Sequence, residues 1–215
     1  MKKENSYISN ISIYLKKHFK TIIFIITLII FIILSYLVFN NYLITIDNNT
    51  HTYLVSIRNN ILTNIFLIIT NLANPYFLII LNIILLISIK KKKIPLLISL
   101  NLICSFLINQ TTKLIFARPR PININIIEES GFSFPSGHSM ISLAFYGFIT
   151  YLIYQRLNNK KHKRILIISF ILIILLIGLS RIYLGVHYLS DVIGGFLLGI
   201  IYLFIYIKLI NNQIK

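Results

Sequence analysis

The run TIIFIITLIIFIILSYLVF, residues 21–39, decides what kind of protein this is. It carries no charged side chain and is close to the roughly 20 apolar residues a helix needs to cross a bilayer core. It exceeds the apolar region of about 7–15 residues in a secretory signal, and no small-residue cleavage site follows. Lys16, Lys17 and Lys20 precede it. The run therefore reads as a retained membrane anchor.

Five further apolar runs follow at residues 72–89, 94–116, 138–155, 165–183 and 189–208. Over the 215 residues, 57% are hydrophobic and only 12% charged, about half the charge of an ordinary soluble domain. Mean hydropathy is +0.83. The expectation is an all-α integral membrane bundle of six transmembrane helices in a single domain spanning 21–210. A basic cytoplasmic N-terminus, 1–20, and a short cytoplasmic tail, 211–215, flank it.

Residues 52–71 stand apart. Ile57, Ile61, Ile65, Ile68 and Leu72 recur at helical spacing, but Arg58, Asn59, Asn60, Thr63 and Asn64 are polar. That amphipathic pattern predicts a helix lying in the interface.

A net charge of +16 raises the question of nucleic acid, and the placement of the charge answers it. Sixteen of the 21 Lys and Arg fall before the first run, in the turn Lys90–Lys93, between Arg156 and Arg164, and at Lys208 and Lys215. All of these belong to one side of a six-span chain. The positive-inside rule makes that side cytoplasmic, with both termini inside. No nucleic-acid partner is expected. The lone Cys104 lies within an apolar run and forms no internal disulfide.

The opposite side keeps a few ionisable residues at particular places, and three segments hold them. Lys113 and Arg120-Pro121 form K-x6-R-P; Pro135-Ser136-Gly137-His138 follows; Ser180-Arg181, His187 and Asp191 form S-R-x5-H-x3-D. Any one of Lys113, Arg118, Arg120 or Arg181 alone reads as a side chain snorkelling to the interface. Together, Lys113, Arg120 and Arg181 are three cations at span ends facing one compartment, which is what a phosphate dianion requires. Ser136 suits a helix cap and Pro135 the start of a helix. The free N–H groups of that helix end attract anions, and Gly137 lets a ligand approach the backbone. His187 and Asp191 are four residues apart. A carboxylate on Nδ1–H would present Nε2 as a nucleophile or base.

A metal site fits poorly: there is no H-E-x-x-H, no Cys pair and no carboxylate cluster of ligand spacing. His18, His51 and His162 lie outside the motifs, and His51, in an outer loop, has no evident role. Gly195 and Gly199 form a small-x3-small pair, whose ordinary use is close helix packing.

The three segments resemble the signature of the type 2 phosphatidic acid phosphatase family, which shares its site with vanadium haloperoxidases and some bacterial acid phosphatases. No motif position departs from the pattern. The resemblance implies that His187 attacks phosphorus to form a phosphohistidine, that Asp191 orients it, and that His138 protonates the leaving oxygen. Lys113, Arg120, Arg181, Ser136 and Gly137 would hold the phosphate, without metal or other cofactor. Arg118, outside the signature, would only steer the anion. The implied partners are membrane lipids and a lipid phosphate: phosphatidate, phosphatidylglycerol phosphate or undecaprenyl diphosphate. An outward-facing site in a small protein fits recycling of the undecaprenyl carrier at a bacterial plasma membrane. A phosphotransferase using the same site, and a non-enzymatic lipid-binding protein, are the alternatives.

Overall fold

The computed structural model describes the backbone of residues 2–122 and 124–214, and side chains over 18–122 and 124–212. Among these residues every regular element is helical: α1 Lys2–Phe39, α2 Ile44–Ser56, α3 Asn60–Asn71, α4 Pro75–Ser88, α5 Lys93–Phe116, α6 Gly137–Arg156, α7 Lys160–Tyr183 and α8 Leu189–Ile214. The side chains of Lys2, Lys3, Lys16, Lys17 and Lys215, part of the charge asymmetry, lie outside the described residues.

Local chemistry sets the boundaries. Asn59 Oδ1 accepts from Leu62 N at 2.9 Å at the start of α3, Asn74 Oδ1 from Tyr76 N at 2.9 Å at the start of α4, and Asn159 Oδ1 from Lys161 N at 3.0 Å at the start of α7. Each satisfies a backbone donor that a helix start leaves free. Pro75 occupies the first turn of α4, where its missing N–H costs nothing. At the far end of α5, Ala117 turns left-handed (φ 44°) and stops the helix.

Four helical stretches are long and apolar enough to cross a membrane: His18–Phe39, Lys93–Phe116, Lys160–Tyr183 and Leu189–Asn212. The pair α3 and α4, bent by 48° at its break, qualifies when taken together. α6 lies outside that set because it carries polar groups, and it packs among α5, α7 and α8. Met140, Ala144, Phe145 and Phe148 on α6 are buried against Ile174 and Ile177 of α7 and Tyr202 and Tyr206 of α8.

The single interfacial helix expected over 52–71 is divided. α2 ends at Ser56 and α3 begins at Asn60. Arg58, at the break, sends its guanidinium to the Tyr183 carbonyl, with Nη2 at 2.7 Å. That bond ties the break to the end of α7, and the chain continues beyond it as α3, which pairs with α4 at the 48° bend.

Lipid supplies no hydrophobic drive between helices, so close packing and buried hydrogen bonds hold such a bundle together. Asn101 Nδ2 donates to the Ala144 carbonyl at 3.0 Å, and Tyr202 Oη to the Asn101 carbonyl at 2.9 Å, joining α5, α6 and α8. A Cβ on Gly195 would lie 2.6 Å from the Ser136 carbonyl oxygen. The glycine therefore lets α8 meet the start of α6, as the small-x3-small spacing predicts. Ser136 N donates to the Asp191 carbonyl at 2.9 Å at the same place. This contact brings the P-S-G-H segment onto the H-x3-D segment.

Candidate active site

The C-terminal end of α5, the start of α6, the end of α7 and the start of α8 converge at one end of the bundle. A cavity of about 370 Å³ opens there, and Lys113, Arg120, Gly137, His138 and His187 line it together with Glu129 and Gly131. Two histidines separated by 48 intervening residues in the chain thus share one hollow.

His187 lies between α7 and α8 and is 1% exposed. Its Nε2 is 3.1 Å from Arg120 Nη1. A guanidinium only donates, so Nε2 is the unprotonated acceptor and Nδ1 carries the proton. Nδ1 is 3.3 Å from Ser133 Oγ and 3.5 Å from Asp191 Oδ2, and Ser133 Oγ donates to that same carboxylate oxygen at 2.5 Å. Ser133 therefore bridges the imidazole and the carboxylate, beside the direct approach that i,i+4 spacing led one to expect. Asp191 Oδ2 also accepts from Tyr188 N at 2.8 Å, and Oδ1 from Arg118 Nη1 at 2.6 Å.

The remaining predicted residues occupy distinct positions. Lys113, buried at the end of α5, donates to the Phe132 carbonyl. Arg120 donates to the carbonyls of Ser130, Gly131 and Val186 at 3.0, 3.0 and 2.9 Å. Arg181, 1% exposed, lies behind the cavity wall, where it pairs with Glu129 and donates to Thr70 Oγ1 at 2.6 Å. Ser136 is fully buried, and its Oγ accepts from Ser139 N at 3.4 Å as the cap of α6. It sits under the cavity rather than in its lining, whereas Gly137 and His138 reach it. Among the described residues no group of three His, Cys, Asp or Glu side chains is placed to hold a metal ion.

Two expectations are corrected. Arg118 does not steer anions at the mouth. It is buried, its guanidinium divided between Asp191 and Asp47, because two carboxylates close to one buried guanidinium outcompete solvent. His51 is not an idle loop residue. It lies on α2, 3% exposed, with Nε2 2.8 Å from the His187 carbonyl oxygen and its ring stacked on Tyr188. Sequence reading missed Ser133, Asp47 and His51. The one available signal was Asp47-x3-His51, an acid and an imidazole at helical spacing.

Burial, and then the cations Arg120, Arg181 and Lys113, lower the His187 imidazole well below its ordinary value of 6.5. The sign follows from the charged form: desolvation and neighbouring positive charge both disfavour imidazolium. Histidine NMR titration is expected to find His187 neutral at pH 6.5, with protonation only at lower pH. Arg120→Gln, which removes one repelling cation, is expected to move that midpoint upward. A midpoint at or above 6.5 in the unaltered protein contradicts this electrostatic picture.

A helical membrane bundle that closes one end over a cation-ringed pair of histidines is one recognisable class. The chain belongs to the PAP2 superfamily, matching it over residues 94–215. Over 110 residues it is 43% identical to phosphatidylglycerophosphatase B of Bacillus subtilis, covering 51% of this chain and 54% of that protein. It is 33% identical over 122 residues to undecaprenyl-diphosphatase of Sulfolobus acidocaldarius, covering 54% and 55%. The chain thus spans about half the length of these curated relatives. Its fold is similar to the crystal structure of a transmembrane PAP2-type phosphatidylglycerolphosphate phosphatase from Bacillus subtilis, with a TM-score of 0.81 and 34% identity over 89% of this chain and 97% of that one.

Proposed function

We propose that this protein is a lipid phosphate phosphatase, removing phosphate from a lipid mono- or diphosphate through a phosphohistidine on His187. One observation carries the lipid assignment. The polar cavity shares Ala73, Pro75, Phe106 and Ile141 with an adjoining groove of about 320 Å³, whose further lining of Leu78, Ile79, Leu102, Ile103 and Leu107 is wholly apolar. A phosphate headgroup fits the first and an acyl or prenyl tail the second. The names of the relatives, phosphatidylglycerophosphatase B and undecaprenyl-diphosphatase, supply two candidate substrates, and phosphatidate is a third.

Nε2 of His187 attacks phosphorus while the bond from phosphorus to the lipid oxygen breaks. His138 gives its proton to that oxygen, which leaves as an alcohol or, from a diphosphate, as the lipid monophosphate. Water, passing a proton to the deprotonated His138, then attacks phosphorus, and the bond to His187 Nε2 breaks to release inorganic phosphate. Splitting the reaction this way replaces one difficult step with two easier ones. Lys113, Arg120 and Arg181 balance charge on the equatorial oxygens, and the start of α6, where Gly137 and His138 line the cavity, adds backbone N–H donors. To bind phosphate, Arg181 exchanges its contact with Glu129 for the substrate oxygens. These three cations take the part that a divalent ion plays in other phosphatases.

The chain crosses the membrane six times in this reading, through α1, α4 with its bent extension α3, α5, α6, α7 and α8. α2 lies at the outer interface. The basic turns at 90–93 and 156–164 occupy the ends opposite the cavity, and the positive-inside rule supports an extracytoplasmic cavity with cytoplasmic termini in a bacterial plasma membrane. Residues 21–210 form the single membrane domain.

Phosphate release in detergent from phosphatidate, phosphatidylglycerol phosphate and undecaprenyl diphosphate tests the proposal. The expected result is release without an added acceptor, unchanged by EDTA and inhibited by vanadate, which mimics five-coordinate phosphorus. A requirement for an acceptor alcohol would make the protein a transferase. Loss in EDTA that a divalent ion restores would end the metal-free mechanism.

A further inference from the structure

We infer that α2, which lies outside the segment matched to the superfamily, is a positioning element for the nucleophile, with Asp47 acting on Asp191 through Arg118 and Ser190. This inference rests on the phosphatase reading above.

Asp47 is 1% exposed, although it carries a carboxylate. Such a group stays buried only when it is fully bonded, and its partners all belong to the catalytic end. Oδ2 accepts from Arg118 Nη2 at 2.7 Å and from Ser190 Oγ at 2.6 Å; Oδ1 accepts from Ser190 N at 3.0 Å. Arg118 Nη1 donates to Ser190 Oγ at 2.8 Å and to Asp191 Oδ1 at 2.6 Å. The guanidinium is thus fixed from both sides, with Tyr188 beneath it at 4.3 Å from Cζ to the ring centroid.

The consequence lies in the geometry of Asp191. With Oδ1 held by Arg118, the other oxygen faces Ser133 and His187. Without Asp47, Arg118 loses one of its two fixed ends and the carboxylate can rotate away from Nδ1. One turn further along α2, His51 bonds the His187 carbonyl. The same helix face therefore restrains both members of the dyad, the carboxylate through Arg118 and the imidazole through its backbone. Neither Asp47 nor Arg118 lines the cavity, so their effect should fall on the chemical step and not on binding.

Asp47→Asn is expected to lower kcat on the order of 10- to 100-fold, by analogy with the outer-shell groups that orient metal-bound histidines, with KM changed less than about twofold. A merely structural role would not produce a second result. In an Asp191→Asn background, Asp47→Asn should cost almost nothing, because its target is already disabled. Should Asp47→Asn fail to fold, Ser190→Ala removes one support of the same carboxylate and is read the same way. Unchanged kcat in a folded variant, or the same loss in both backgrounds, overturns the inference. Wild-type protein that releases no phosphate defeats the phosphatase reading instead. Active wild type, inactive His187→Ala and indifferent Asp47→Asn defeat only the role of α2.

Discussion

His187→Ala is expected to reduce phosphate release by roughly 10⁴-fold or more, the scale of loss when a covalent nucleophile is deleted. The imidazole is 1% exposed, its Nε2 is unprotonated toward the cavity, and its Nδ1 proton is engaged by Ser133 and Asp191. A neighbouring group cannot substitute for it. Arg120 is a guanidinium that only donates, Lys113 is held on the Phe132 carbonyl, and His138, which lines the same cavity, serves the leaving oxygen in the proposed reaction. Acid-sensitive radiolabel from a terminally labelled lipid phosphate should appear on quenched wild-type protein and be absent from the variant. Thermal unfolding in detergent separates chemistry from folding. A folded His187→Ala protein that keeps a tenth of wild-type activity would remove the phosphohistidine from the mechanism.

The second large effect is expected at His138. His138→Gln keeps a polar side chain of similar length in the first turn of α6 but cannot give up a proton. For a lipid alkoxide leaving group, loss of a positioned acid should lower kcat about 10²- to 10⁴-fold. An aryl phosphate with a phenolate leaving group of low pKa needs little protonation, so the same variant should approach wild-type rates on it. The contrast between the two substrates is the measurement. Equal losses on both would mean that His138 binds phosphate and does not act as the acid.

Much of this site was legible in advance because its members are recorded locally. A snorkelling reading of Lys113 or Arg120 is sound for each alone. It fails once P-S-G-H and S-R-x5-H-x3-D fall on the same side of the membrane, and the cavity does gather Lys113, Arg120, Gly137, His138 and His187. Membrane character was equally open to reading, since an uncharged run of bilayer length leaves few other solutions. The stretch 52–71 was harder. Its amphipathic period marks a helix but does not reveal that it breaks at Arg58, which bonds the Tyr183 carbonyl.

Sequence alone therefore determined the helical membrane class, the distribution of charge and most of the side chains that meet at the cavity, because hydropathy, period and motif spacing act over a few turns of chain. Only the tertiary structure decided that Ser133 stands between His187 and Asp191, that Arg118 turns inward, and that Asp47 reaches Ser190 across 143 residues. Those pairings depend on which helices pack together, and a buried charge takes its partner from whatever the packing brings within reach.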